Sequence, residues 1–265
     1  MEAADIYSLL SDNVIVLSLS AVRISVAFLL LPLFTNEGVP AMVRNSMFLA
    51  LALLSILIQP SAQVDQFSTA MWINLFAKEA LIGIVIGIFF GVFLWAFEAA
   101  GVVIDMQIGA SFALFFDPVV GNEVTLIGAF LSRWASFIFL ASGGLLIMTT
   151  ALLESFVIWP LVEPISSIRS ASVALFEAEL SRFMSITLRI AGPIMVVIFI
   201  IDVAMGLINR FAQQFNVFFL SMSLKSMAAI LLLIVLLPFL MTVLVDEMQI
   251  QAANISDILN NVLIQ

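Results

Sequence analysis

Arg23, Glu98, Asp105, Arg133, Arg189 and Asp202 lie inside or beside long apolar runs, with the amide Gln107 two residues after Asp105. Ionisable groups are costly in lipid and normally face a cavity, a partner or water. Three uses follow. Asp105 and Asp202 could relay ions in a stand-alone coupled transporter. The charges could pair across helix or subunit interfaces. Or the segments that carry them are not in lipid at all. The overlong, charge-bearing runs favour the last two. An intramembrane aspartyl protease is poorly supported, because Ile104-Asp105-Met106 and Ile201-Asp202-Val203 lack a Tyr-Asp or Gly-x-Gly-Asp setting. The chain has no His and no Cys, which removes imidazole bases, thiol nucleophiles, disulfides and the usual zinc and haem ligands. It also lacks a Gly-x-Ser-x-Gly elbow, a P-loop and a Gly-x-Gly-x-x-Gly turn. No catalytic, cofactor or metal site is expected, and the chain is read as a non-enzyme.

A second constellation lies in residues 103–124, between two apolar runs. Gly109 and Gly121 bracket Phe112, Phe115 and Phe116, the turn Asp117-Pro118, and then Val119 and Val120; Asn122 follows. Non-helical backbone near membrane depth is tolerated only where protein buries it or it lines a cavity. Bulky apolar side chains at a constriction can close a pore by excluding water. The competing use is plain packing, which the chain's 24 Phe make strong. The bracketing glycines favour a loop able to move. Gly83, Gly87 and Gly91 form a third feature, one stripe at helical spacing that lets another backbone approach closely. The approaching helix could belong to this chain or to another subunit.

The elements that must hold these residues are helices. Of 265 residues, 63% are hydrophobic and 10% charged, and mean hydropathy is +1.23. A soluble domain is about a quarter charged. The expected fold is all-α, polytopic and of membrane type, with about six hydrophobic segments: 14–34, 44–59, 71–104, 124–158, 186–208 and 226–245. The run 71–104 would be about 51 Å long as one helix, too long for a perpendicular span, so it is read as tilted or as two pieces. Gly143-Gly144 offers a bend in 124–158, and Gly192-Pro193 interrupts 186–208. Residues 162–185 suit an amphipathic helix, with Glu179 and Arg182 spaced for one face. In the tail, Ile255, Ile258, Leu259, Val262 and Leu263 make an apolar stripe for a partner. Glu2, Asp5 and Asp12 give the N-terminus no signal-peptide character, so the first run is expected to remain as a span. The net charge of −9 argues against nucleic acid. Arg44 and the connection bearing Arg210 and Lys225 are expected on the cytoplasmic side.

Taken in order, several short motifs resemble the SctT/FliR family, export-apparatus components of bacterial type III secretion systems. They are Arg23 to Pro40, Lys78-Glu79-Ala-Leu-Ile-Gly83, Ala100-Gly101 leading to Asp105-Met106-Gln107-Ile108-Gly109, and Asp117-Pro118. The match continues through Phe139 to Gly143-Gly144, Glu154-Ser155-Phe156, and Arg210 to Asn216-Val217-Phe218. Ser221-Met222-Ser223-Leu224-Lys225 resembles the virulence-type Ser-x-Pro-Leu-Lys more than the flagellar Gly-x-Pro, with Ser223 where Pro is usual. That favours the injectisome branch.

The resemblance implies a non-enzymatic export gate of the bacterial inner membrane. One copy would join five SctR-like and four SctS-like chains in a helical cone, held largely on the periplasmic side within the basal body and touching membrane lipid. An SctU-like switch protein would wrap the entrance, and unfolded secreted proteins would be the substrates. Residues 1–185 would be SctR-like, and 186–265 an SctS-like helical hairpin and tail. The family's plug loop maps onto Gly109–Asn122. Arg210, Asn216, Phe218, Ser221 and Lys225 would form a loop on the entrance side.

Overall fold

The computed structural model describes residues 3–34, 38–58, 68–110, 125–161, 167–168, 171–211 and 216–264; side chains are described from Asn13 to Asn254 within those ranges, except for 167–168 and 171–173. Within the described residues, all six apolar runs are largely helical. They form α1 (Ala3–Leu29), α2 (Ala41–Ile56), α3 (Thr69–Ile108), α4 (Leu126–Ala141), α5 (Gly144–Ile158), α6 (Ala171–Phe211) and α7 (Val217–Val262). A two-residue antiparallel pair, β1 (Ser167–Ile168) with β2 (Leu263–Ile264), is the strand content of the described residues.

Three helices are long and apolar enough to cross a membrane: Thr69–Ile108, Ala174–Phe211 and Val217–Asn254. The pair α4 and α5 makes a fourth if taken as one broken span, whereas Asn13–Leu29 and Ala41–Ile56 are shorter. The chain is an all-α, multi-span membrane protein. The run 71–104 is one unbroken helix rather than two pieces. The expected bend at Gly143 is present: its φ is +85°, the left-handed region glycine enters without a Cβ clash. Leu146 and Ile147 both donate their N–H to the Gly143 carbonyl and so begin α5. Gly192-Pro193 does not interrupt its run. Pro193 lies inside α6, which continues from Ala171 to Phe211 and absorbs the expected amphipathic helix. One missing donor is tolerated in such helices where neighbouring groups satisfy the freed carbonyl.

The chain divides into two compact units. One comprises Met1–Val92, Gly143–Glu179 and Met248–Gln265; the other comprises Phe93–Ser142 and Leu180–Glu247. In the first, Phe28, Phe34 and Phe48 form an aromatic cluster that joins α1 to α2, with Phe28 and Phe48 stacked at 5.5 Å. The amide of Gln251 is fully buried in the same unit and donates to the Phe89 carbonyl (3.2 Å) and to Glu179 (3.1 Å), which fixes the start of the C-terminal tail. In the second, Phe93 packs on Phe139 and Phe97 stacks on Trp134, joining α3 to α4.

The most apolar stretch of Thr69–Ile108 is 67% buried, against 28% for those of Ala174–Phe211 and Val217–Asn254. Helix α3 is therefore a core element. The outward faces of α6 and α7, with Phe199, Ile200, Ile234 and Val235 well exposed, need lipid or protein to cover them.

Candidate functional site

In the second unit, α3 and α4 are fastened together at the base of the connection 109–124. Helix α3 ends at a glycine cap. Gly109 has φ +85°, its N–H donates to the Met106 carbonyl (3.2 Å), and the Ala110 N–H donates to the Asp105 carbonyl (3.0 Å). This 5→2 and 6→1 pair is the Schellman arrangement. Helix α4 begins after Thr125, whose own side chain makes no capping bond. Asp105 supplies the cap from the other side of the loop. Its Oδ2 accepts the N–H groups of Ile127 (2.9 Å) and Gly128 (3.1 Å). A carboxylate at a helix N-terminus satisfies orphan donors and meets the positive end of the helix dipole. These two bonds satisfy one oxygen of a residue only 2% exposed; the other, Oδ1, has no hydrogen-bond partner.

The same base is narrow. A Cβ added at Gly101 would fall 2.5 Å from the Cα of Gly128, so the two backbones meet where only glycine fits. Deeper along the pair, Ser132 Oγ donates to Glu98 Oε2 (3.0 Å). Gln107 contributes its carbonyl, one of the unpaired acceptors at the end of α3. Lys225 Nζ donates to it at 3.1 Å and lies 3.0 Å from Asp202 Oδ1. A lysine at a helix C-terminus complements the negative end of the dipole. One cation on α7 thus ties the end of α3 to α6.

Phe112, Phe115, Phe116, Asp117, Pro118, Val119, Val120, Gly121 and Asn122 lie outside the described residues. Of the proposed plug Gly109–Asn122, only Gly109 and Ala110 are described.

The first unit holds a buried ionic cluster. Arg23 (α1) and Glu79 (α3) are both fully buried and paired through two bonds, Nε–Oε2 at 2.6 Å and NH2–Oε1 at 3.0 Å. Arg23 also donates to Ser155 Oγ (2.9 Å) and to the Trp159 carbonyl (3.0 Å), and its guanidinium lies 4.2 Å from the Phe156 ring centroid. Lys78 Nζ stands 3.2 Å from Glu79 Oε1 and donates to the carbonyls of Pro160 (2.5 Å) and Leu161 (3.1 Å). The forked guanidinium matches a carboxylate and uses its remaining donors on neighbouring oxygens, as burial demands. This cluster holds α1, α3 and the end of α5 together. Glu79 was not among the embedded charges singled out from sequence. Its signal was an acid in the same kind of apolar run as an arginine of opposite sign.

The glycine stripe faces α1 within this unit. A Cβ at Gly83 would come within 2.6 Å of the Arg23 carbonyl oxygen, and one at Gly87 within 2.8 Å of the Ala27 carbonyl oxygen. Gly91 is buried. Arg133, Arg189 and Arg210 are exposed. Among the described residues, no three His, Cys, Asp or Glu side chains gather as metal ligands.

At the hairpin mouth in the second unit, Ser221 Oγ donates to the Phe218 carbonyl (2.8 Å), while Asn216 is exposed. These two residues and Phe218 line a cavity of about 330 Å³ between α6 and the start of α7.

Long apolar helices, with Arg23, Lys78 and Glu79 paired in the core, define a multi-span membrane protein. The family model for bacterial export proteins, family 1, matches residues 14–250, and the chain belongs to that family, the SctT/FliR export-apparatus proteins. Relatives come from both its branches. The Yop proteins translocation protein T of Yersinia pestis is 31% identical over 219 residues, 80% of this chain and 82% of the relative. The secretion system apparatus protein SsaT of Salmonella typhimurium is 29% identical over 232 residues, 86% and 89% of the two chains. The flagellar biosynthetic protein FliR of Bacillus subtilis is 29% identical over 226 residues, 84% and 86%.

Proposed function

We propose that this membrane export-apparatus component is a pore and gate subunit of a type III secretion system. In this reading it helps to form the entrance channel by which unfolded proteins cross the bacterial inner membrane. The connection Gly109–Asn122 is its plug. The observation that carries the reading is the fastening of that connection's base, with Asp105 on α3 capping α4. The two points between which the connection runs are thereby held together. Phe112, Phe115 and Phe116 would supply the apolar constriction.

The chain would act as one copy among SctR-like and SctS-like subunits, with residues 1–185 taking the SctR-like role and 186–265 the hairpin role. Broad apolar faces on α6 and α7 suit such neighbours as well as lipid. The Ser221–Lys225 segment favours the injectisome branch, and the relatives' names span both branches. An SctU-like protein would approach the side that bears Arg210 and Lys225. The assembled core would lie largely on the periplasmic side. A transporter that couples ions through Asp105 and Asp202 is less well supported, since Asp105 caps a helix and Asp202 pairs with Lys225.

Native mass measurement of the complex in mild detergent tests the assembly. A hetero-oligomer containing one copy of this chain is expected. A monomer or small homo-oligomer, when the partner genes are co-expressed, would contradict it.

A further inference from the structure

We propose that the cavity at the mouth of the α6–α7 hairpin is a receptor for one cationic side chain, an arginine or lysine, presented by a segment of a partner protein. The proposal extends the export-gate reading, in which this end of the hairpin faces the approaching partners.

The cavity is a broadly open depression of about 330 Å³, and its two walls belong to one hairpin within one unit. Its apolar lining residues are Met205 and Val217, both buried, and the exposed Phe218. Its polar lining residues are Asp202, Asn209, Asn216 and Ser221, whose hydroxyl already donates to the Phe218 carbonyl. Lys225 pairs with Asp202 Oδ1 at 3.0 Å from outside the cavity, and the Asp202 side chain remains 35% exposed while that of Lys225 is 12% exposed.

An acidic occupant would meet Asp202 with like charge. A purely apolar one would strip water from the carboxylate without replacing its bonds. A long cationic side chain suits both parts, laying its methylenes on Met205 and Val217 and its charge on Asp202. A single carboxylate would hold a free cation weakly. A side chain carried on an already docked protein meets the site at high effective concentration. The net charge of −9 would also steer a basic segment towards this chain.

The chain has no cysteine, so Gly206→Cys places a single thiol in the cavity wall. An added Cβ there meets nothing within 4 Å, so the substitution fits the fold. The full chain in nanodiscs would be treated with a trimethylammonium-bearing and a sulfonate-bearing methanethiosulfonate. Each rate is normalised to a small thiol in solution. The expected result is a cation-over-anion preference raised about tenfold, falling at least about threefold when Asp202→Asn is added. A ratio equal to that of the free thiol, a ratio unchanged by Asp202→Asn, or a thiol inert to both reagents would overturn the proposal. The last would mean that the chain fills its own cavity. In the co-purified complex the cationic reagent should react about tenfold more slowly; an unchanged rate would overturn occupancy by a partner. The isolated-chain ratio is independent of assembly, so a failure of the cavity and a failure of the export reading are told apart.

Discussion

Asp105 Oδ2 accepts the backbone N–H of Gly128 at 3.1 Å, a side chain on α3 capping the helix that begins on the far side of the connection 109–124. The same oxygen takes the Ile127 N–H, while Thr125, the residue before α4, makes no capping bond of its own. The loop's span is therefore set at its base, whatever its tip does.

Asp105→Ala should leave two N–H groups at the start of α4 without an acceptor, at a cost of about 0.5–2 kcal/mol. Hydrogen exchange at Ile127 and Gly128 should accelerate by about tenfold, while amides in the middle of α3 change little. Asp105→Asn keeps an acceptor oxygen and should lose less. Equal protection in Asp105→Ala would mean that the cap does not hold the loop base.

Glu79→Ala should be among the most disruptive single changes. It strands the fully buried Arg23 and removes an acceptor beside Lys78. Breaking one side of a buried pair costs about 3–5 kcal/mol. Thermal unfolding in detergent should show a large fall for Glu79→Ala. The double change Arg23→Met with Glu79→Leu should recover part of it, since both buried charges of the pair are then gone.

The stripe on α3 makes a graded prediction. Gly87→Leu forces a side chain against the Ala27 carbonyl and Leu30, and overpacking of this kind costs about 1–3 kcal/mol. Gly192→Ala, whose Cβ meets nothing within 4 Å, should be neutral or slightly stabilising, because alanine favours a helix over glycine. Equal melting temperatures for the two variants would count against the α1–α3 seam.

Lys225→Met should release the Gln107 carbonyl and the Asp202 carboxylate together. For a partly exposed lysine the expected loss is modest, about 1 kcal/mol. Exchange at the last turn of α3 should rise. A double-mutant cycle with Asp202→Asn should show coupling, and strict additivity would mean that the two do not act as a pair.

The sequence made the helices legible because each apolar run is long and its punctuation is strong. Gly143 marked a true break, since a left-handed glycine ends one helix and starts the next. Gly192-Pro193 carried the same kind of signal and did not end α6, which runs through Pro193 with one helix donor missing. Asp105 was legible as a misplaced acid, but its partners were not. They are backbone N–H groups more than 20 residues onward, and no side-chain pattern marks them. Arg23 stood out likewise, while its match to Glu79 across 56 residues exists only once α1 packs on α3. The glycine stripe showed that something comes close, and the fold supplied which helix.

Ion conductance tests most directly whether the connection that Asp105 anchors is a plug. Residues 110–121 would be trimmed to a short linker that leaves Asp105, Ile127 and Gly128 in place, and the assembled complex reconstituted in a planar bilayer. A raised leak of small ions through a complex of unchanged composition is the predicted result. Unchanged conductance in a complex that still assembles would contradict the plug.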